Sequence, residues 1–210
     1  MAGSTVFLVG AGPGNAGLVT LRAVECLAHA DLVLYDRLAP PRLLSFAPAV
    51  AEKVCVTDLP GAHPERGPQV IERMIAAAKQ GRCVVRLKGG DPLVFGRGAE
   101  EAEALRREGI PFEIVPGVTA ALGAAAHAGI PLTDRRCASA VALVTGHEDP
   151  AKPDSALDWE ALARFPGTLV FYMGISRLEK IAQSLMEKGK PPETPAALVE
   201  WATLGRQRTI

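Results

Sequence analysis

The densest chemistry in this 210-residue chain lies in the run Arg86-Leu87-Lys88-Gly89-Gly90-Asp91-Pro92-Leu93-Val94-Phe95-Gly96-Arg97-Gly98-Ala99-Glu100-Glu101. Two consecutive glycines at a strand end let the backbone approach a ligand closely, and an acid before proline fixes a turn that presents its carboxylate. The plain alternative is a solvated strand-to-helix turn. A second candidate, Gly12-Pro13-Gly14-Asn15-Ala16-Gly17, fits G-x-G-x-x-G between a strand and a helix, and Asp36 ends the next strand, where a ribose-binding acid belongs. That pattern points to a dinucleotide-binding oxidoreductase, or to glycines that only make a tight turn. Pro13 weighs against the dinucleotide, because it removes a backbone donor from a loop meant to cradle pyrophosphate.

Alternating strands and helices must position these loops. Val6–Val9, Asp31–Tyr35, Val50–Val56, Cys83–Leu87 and Phe112–Val115 read as strands, the fourth an apolar run interrupted only by Arg86. Between them, helices are predicted over Leu18–Ala28, with Leu18, Leu21, Val24 and Leu27 on one face, and over Pro68–Lys79, with Val70, Met74 and Ile75 inward. A charged, exposed helix is predicted over Ala99–Glu108. After Gly117 the pattern restarts: helix Thr119–His127, strand Ala140–Thr145, polar loop Gly146–Asp158, strand Thr168–Tyr172, helix Arg177–Lys188 and strand Ala196–Glu200. This alternation predicts an α/β fold of two lobes with mainly parallel sheets, 1–116 and 117–210. Ligands of such sheets bind beyond the carboxyl ends of the strands, so Gly10–Gly17, Asp36-Arg37 and Gly89–Gly98 are expected to converge.

The 23 basic and 23 acidic residues balance, which speaks against a nucleic-acid or anionic-membrane partner; an anionic ligand needs a local group of arginines. No apolar run reaches the length of a membrane span, and the N-terminus lacks the basic flank of a signal peptide. Cys26, Cys55, Cys83 and Cys137 form no C-x-x-C pair, so no metal site is expected, and reduced thiols fit a cytoplasmic enzyme.

Several stretches together resemble the tetrapyrrole methylase family, in its uroporphyrinogen-III C-methyltransferase branch. They are Val-Gly-Ala-Gly-Pro-Gly (9–14), Tyr-Asp-Arg-Leu (35–38), the run 86–101, Val-Pro-Gly-Val-Thr-Ala-Ala (115–121), Ala-Gly-Ile-Pro-Leu-Thr (128–133) and Thr-Gly-His (145–147). Phe-Tyr-Met-Gly (171–174) and Pro-Ala-Ala-Leu-Val-Glu (195–200) extend the likeness over essentially the whole chain. Tyr-Asp-Arg-Leu and Val-Phe-Gly-Arg-Gly separate this branch from other methylases of the same fold.

The resemblance implies an S-adenosylmethionine-dependent transfer of methyl groups to ring carbons of uroporphyrinogen III, giving precorrin-2 for sirohaem or cobalamin and leaving S-adenosylhomocysteine. It implies a cofactor cleft between two lobes, lined by Pro13, Gly89, Gly90, Asp91, Val94, Thr119, Ala120, Met173 and Ala202. Asp36 takes the position of a proton acceptor, with Glu100 and Arg97 as further catalytic groups. Arg97, Arg135 and Arg37, with Arg136 behind them, are the candidates to grip substrate carboxylates, since a guanidinium fork holds a carboxylate in two bonds. His147 is expected to order a loop. A homodimer is implied, and a second lobe that continues beyond Ile210.

Two departures stand out. The family carries Gly-Lys-Arg after the third strand, with the lysine as proton donor, where this chain has Thr57-Asp58-Leu59; the following loop, Gly61–Gln69, reads as longer than usual. The histidine expected before Arg135 is Asp134. Asp58 leaves open another precorrin methyltransferase of the same fold, or a binding protein without catalysis. The dinucleotide-dependent oxidoreductase stays open on the first loop.

Overall fold

The computed structural model describes residues 5–59, 63–147 and 156–210. The chain forms two compact units, Met1–Gly123 with Trp201–Gln207, and Ala124–Glu200 with Arg208–Ile210. The boundary expected at 116 thus falls inside the first unit.

The first unit is built on one parallel sheet. Strands β1 (Val6–Gly10), β2 (Leu32–Tyr35), β3 (Glu52–Cys55), β4 (Val84–Lys88) and β5 (Phe112–Val115) run in the order β3-β2-β4-β1-β5. Alternate strand residues serve two cores. Val9, Val33, Val85, Leu87 and Val115 pack with α1 (Leu21–Ala28) and the 3₁₀ segment Pro41–Phe46. Val6, Leu8, Leu32, Leu34 and Val84 pack with α2 (His63–Lys79) and α3 (Gly98–Arg107) on the other face. Each fully buried side chain among them, Leu8, Leu34, Met74 or Leu105, contributes about 1.5–3 kcal/mol. The connection leaving β1 crosses one face and the connection leaving its neighbour β4 crosses the other. Their carboxyl ends therefore flank a crevice.

Three helices differ from the sequence reading. The first begins at Leu21, not Leu18, because Thr20 caps it by accepting a hydrogen bond from the Ala23 N–H at 3.2 Å. Its inward face is Ala23, Cys26 and Leu27, while Leu21 is 83% exposed. The second starts at His63, so most of the stretch read as a long loop is helix; Pro68 lies inside it and forfeits one hydrogen bond early in the helix. The third is not simply exposed: Gly98, Glu101, Ala102 and Leu105 are buried against the sheet. Gly81 and Gly109, both with positive φ, follow α2 and α3 as expected.

The second unit carries β6 (Val141–Thr145) parallel to β7 (Thr168–Tyr172), the short antiparallel pair β8 (Val199–Glu200) and β9 (Arg208–Thr209), α5 (Trp159–Arg164) and α6 (Leu178–Glu187). The helix between β5 and β6, α4, spans Ala120–Ala128 and contains the division between units. Residues 148–155 of the expected polar loop lie outside the described residues. The sequence reading missed α5, which Asp158 caps by accepting from the Ala161 N–H at 2.9 Å, and whose Trp159 stacks on Phe171. No helix among the described residues is long and apolar enough to cross a membrane, and no cluster of three His, Cys, Asp or Glu suited to a metal stands among them.

Candidate active site

Several donors of the glycine-rich loop after β1 are spent on the protein. The Gly12 N–H donates to Gly90 O at 3.1 Å, Asn15 N–H to Thr203 Oγ1 at 2.8 Å, Gly17 N–H to Asn15 Oδ1 at 2.9 Å and Leu18 N–H to Asn15 O at 2.9 Å. Pro13 has none to give. A 3₁₀ turn, Ala16–Leu18, follows, and the helix N-terminus comes only at Leu21. The G-x-G-x-x-G match therefore has a depleted set of N–H donors and lacks a helix opening directly at the loop, the two features that hold a pyrophosphate.

The loop after β4 meets this one backbone to backbone. Gly90 N–H donates to Gly12 O at 2.8 Å, completing a two-residue bridge. A Cβ on Gly117 would stand 2.2 Å from Gly90 O, so only glycine admits the contact between these loops. Asp91 fixes the corner: Oδ1 accepts from Leu93 N–H at 2.8 Å and Oδ2 from Gly117 N–H at 3.0 Å. Beyond it, Phe95 and Arg97 both adopt positive φ, a strained state for residues with side chains that occurs mainly at functional loops. Trp201 and Thr203 do the same on either side of Ala202, and Met173 does so in the second unit.

Eight of the nine residues expected to line the cofactor site lie in the first unit; Met173, 56% exposed, lies in the second. Contacts knit several of the eight together. A Cβ on Gly90 would touch Thr119 and Ala120, one on Gly14 would meet Ala202, and one on Gly123 would strike Pro13 at 2.6 Å. Gly89 abuts Leu38 of the loop after β2, so all three expected loops do gather at the carboxyl ends. Spent donors beside a carboxylate suit a positively charged ligand better than a pyrophosphate. The residues thus fit a sulfonium cofactor with a cationic amino-acid tail.

The candidate charged groups of the first unit occur in pairs. Arg97 caps the start of α3 and grips Glu100 with two bonds, 2.9 and 2.7 Å, and its guanidinium stands 3.6 Å from where a Cβ on Gly67 would be. The Arg97 hydrogen bond holds the Glu100 carboxyl below the usual carboxylate range. Arg37 is paired with Asp58 at 2.6 Å, both well exposed. The aspartate that replaces the family lysine therefore neutralises a candidate substrate arginine. In the second unit Arg136 is held by Asp134, while Arg135 makes no ion pair among the described residues. His147 orders its turn through its backbone: its N–H donates to Thr145 Oγ1 at 3.2 Å, and that hydroxyl donates to His147 O.

Sequence reasoning missed a buried set below Asp36. Arg86 Nη2 donates to Asp36 Oδ1 at 2.5 Å, Arg86 Nε to Glu101 Oε1 at 3.0 Å, and Lys88 Nζ to the same oxygen at 2.9 Å. Burial, and then the neighbouring Arg86 charge, lower the Lys88 pKa against the pull of Glu101 and Asp36. A signal existed: charges at alternate positions 86 and 88 of an otherwise apolar strand share one face. Thr203 was also missed; it is a buried hydroxyl bonded to Asn15 in the glycine loop.

The chain also has close likenesses among known proteins. The sequence pattern of the Tetrapyrrole (Corrin/Porphyrin) Methylases matches residues 5–210. The chain is 49% identical over 203 residues to an S-adenosyl-L-methionine-dependent uroporphyrinogen III methyltransferase of Methanosarcina barkeri, covering 97% of this chain and 80% of that one. It is 46% identical over 210 residues to a uroporphyrinogen-III C-methyltransferase of Bacillus subtilis, of whose length it spans only 44%. Its fold superposes on the crystal structure of uroporphyrin-III C-methyl transferase from Thermus thermophilus complexed with S-adenosylhomocysteine, with a TM-score of 0.83 and 42% identity, covering 98% of this chain and 86% of that one.

Proposed function

The chain belongs to the tetrapyrrole methylase family, and on that premise we propose that it transfers methyl groups from S-adenosylmethionine to ring carbons of uroporphyrinogen III, giving precorrin-2 for sirohaem or cobalamin synthesis. S-adenosylmethionine supplies a methyl group already activated on a positively charged sulfur. Positioning then carries most of the catalysis. The observation that carries this reading is the pair of backbone-bridged loops, donor-spent and closed by Asp91, in a chain that matches the family from end to end.

In this reading Pro13, Gly89, Gly90, Asp91, Val94, Thr119, Ala120 and Ala202 of the first unit hold the cofactor. Asp36 accepts the proton that the macrocycle gives up from another position once methylation has left it positively charged. Arg97, Arg37 and Arg135 receive substrate carboxylates, which must first compete with Glu100 for Arg97 and with Asp58 for Arg37. We propose that the enzyme works as a cytoplasmic homodimer, which light scattering and cell fractionation would test.

Incubation with uroporphyrinogen III and methyl-labelled S-adenosylmethionine tests the proposal. The expected product carries the label and the mass of precorrin-2. A chain that binds S-adenosylhomocysteine yet labels only a later precorrin would select the same-fold alternative. One that labels nothing would be a binding protein.

A further inference from the structure

We infer that Arg86 is a positioning residue that aims the Asp36 carboxylate at the tetrapyrrole, and that Glu101 and Lys88 hold Arg86 in place. The inference rests on the reading of Asp36 as a group that acts on substrate. All three guanidinium nitrogens of Arg86 are engaged. Nη2 donates to Asp36, Nε to Glu101, and Nη1 to Leu34 O and Leu87 O, each at 3.3 Å. A planar fork bound at every nitrogen has one orientation, so Asp36 Oδ1 is fixed too. Asp36 Oδ2 has no hydrogen-bond partner among the described residues.

The set is graded from the interior to the edge. The side chains of Lys88, Arg86 and Glu101 are 3, 6 and 9% exposed, whereas that of Asp36 is 29% exposed. Two cations face two anions, so the group is neutral and burial is tolerable. Yet well-packed apolar side chains would fill such a space with equal or greater stability. One Glu101 oxygen, Oε2, is buried with no hydrogen-bond partner, which a purely stabilising network would avoid. The four charges lie where strand β4 delivers its loop to the crevice, and only Asp36 reaches outward. That layout suits orientation of one carboxylate better than cohesion of the core.

A double-mutant cycle in the full chain tests this, read as single-turnover transfer of labelled methyl to uroporphyrinogen III. Arg86→Lys keeps the charge but cannot reach both carboxylates. Relative to the natural chain it is expected to lower the transfer rate about tenfold or more, with S-adenosylhomocysteine affinity and KM within about twofold. In the Asp36→Asn background the same change is expected to cost less than about twofold, because the carboxylate it aims is gone. Equal losses in both backgrounds, or no loss in either, would overturn the inference. If Asp36→Asn alone leaves the rate unchanged, the reading of Asp36 fails and takes the inference with it. If Arg86→Lys does not fold, Glu101→Met replaces it, since it removes the acceptor that holds Arg86 Nε while leaving the Asp36 contact. The same coupling is then expected, and its absence counts against the proposal.

Discussion

Asp36 hands one oxygen to Arg86 and leaves the other available for the proposed proton transfer, while each arginine candidate of the first unit already holds a carboxylate of the protein. Asp36→Asn is therefore expected to lower kcat by about 10²–10⁴ with S-adenosylhomocysteine binding retained, as calorimetry beside turnover would show. Asp58 is a different case. Its pair with Arg37 is exposed, so it adds little to stability, but it lends a negative charge to a place proposed to receive a polyanion. Asp58→Asn frees Arg37, and the expected outcome is a KM lower by a few-fold at low salt, with the gain fading as ionic strength rises. An unchanged KM at low salt would show that Arg37 does not meet the substrate.

At the scale of elements, the glycine contacts and the ion pairs between strands and helices set what the fold tolerates. Gly117→Ala would place a methyl against Gly90 O and the backbone of Gly10, none of which can rotate away. A loss of about 1–3 kcal/mol in urea unfolding is expected, together with weaker S-adenosylhomocysteine binding. Glu52, on β3, joins Arg82 at 2.8 Å and Arg73 of α2 at 2.5 Å, and those hydrogen bonds, Arg82 first, hold its carboxyl below the usual carboxylate value of 4.5. Its stabilisation is present above that value and lost as pH falls through the lowered folded value. Glu52→Gln should reduce stability at neutral pH and flatten the acid limb of the pH–stability curve. Strands β1, β2, β4, β6 and β7 were legible because each is a short, mostly apolar run between turn residues, whereas β3 (Glu-Lys-Val-Cys) and β9 (Arg-Thr) carry no such run. Helix boundaries were not, because Thr20 capping and the continuation of α2 back to His63 are local hydrogen-bond choices that periodicity does not encode. Of the site, the loops were legible from glycine spacing and family likeness. The Arg86–Glu101–Lys88 set was not, because Glu101 sits in a stretch rich in acids, and only tertiary packing tells the buried one from its exposed neighbours.

For the molecule as a whole, ligand linkage gives a direct check on the cofactor. S-adenosylhomocysteine at one hundred times its Kd is expected to stabilise the chain by about 2.7 kcal/mol, a rise in Tm of roughly 5–10 °C, whereas NADH should give none. The first unit is discontinuous in sequence: its last piece, Trp201–Gln207, follows most of the second unit. Thr203, which receives the Asn15 N–H, belongs to that piece. A ribosome thus releases the sheet long before it releases the hydroxyl that pins the first glycine loop. The proposed cofactor loop is pinned last in time although its opening motif is made first. During refolding, far-UV ellipticity should recover ahead of the capacity to bind S-adenosylhomocysteine, and the delay should lengthen when Thr203 is replaced by valine.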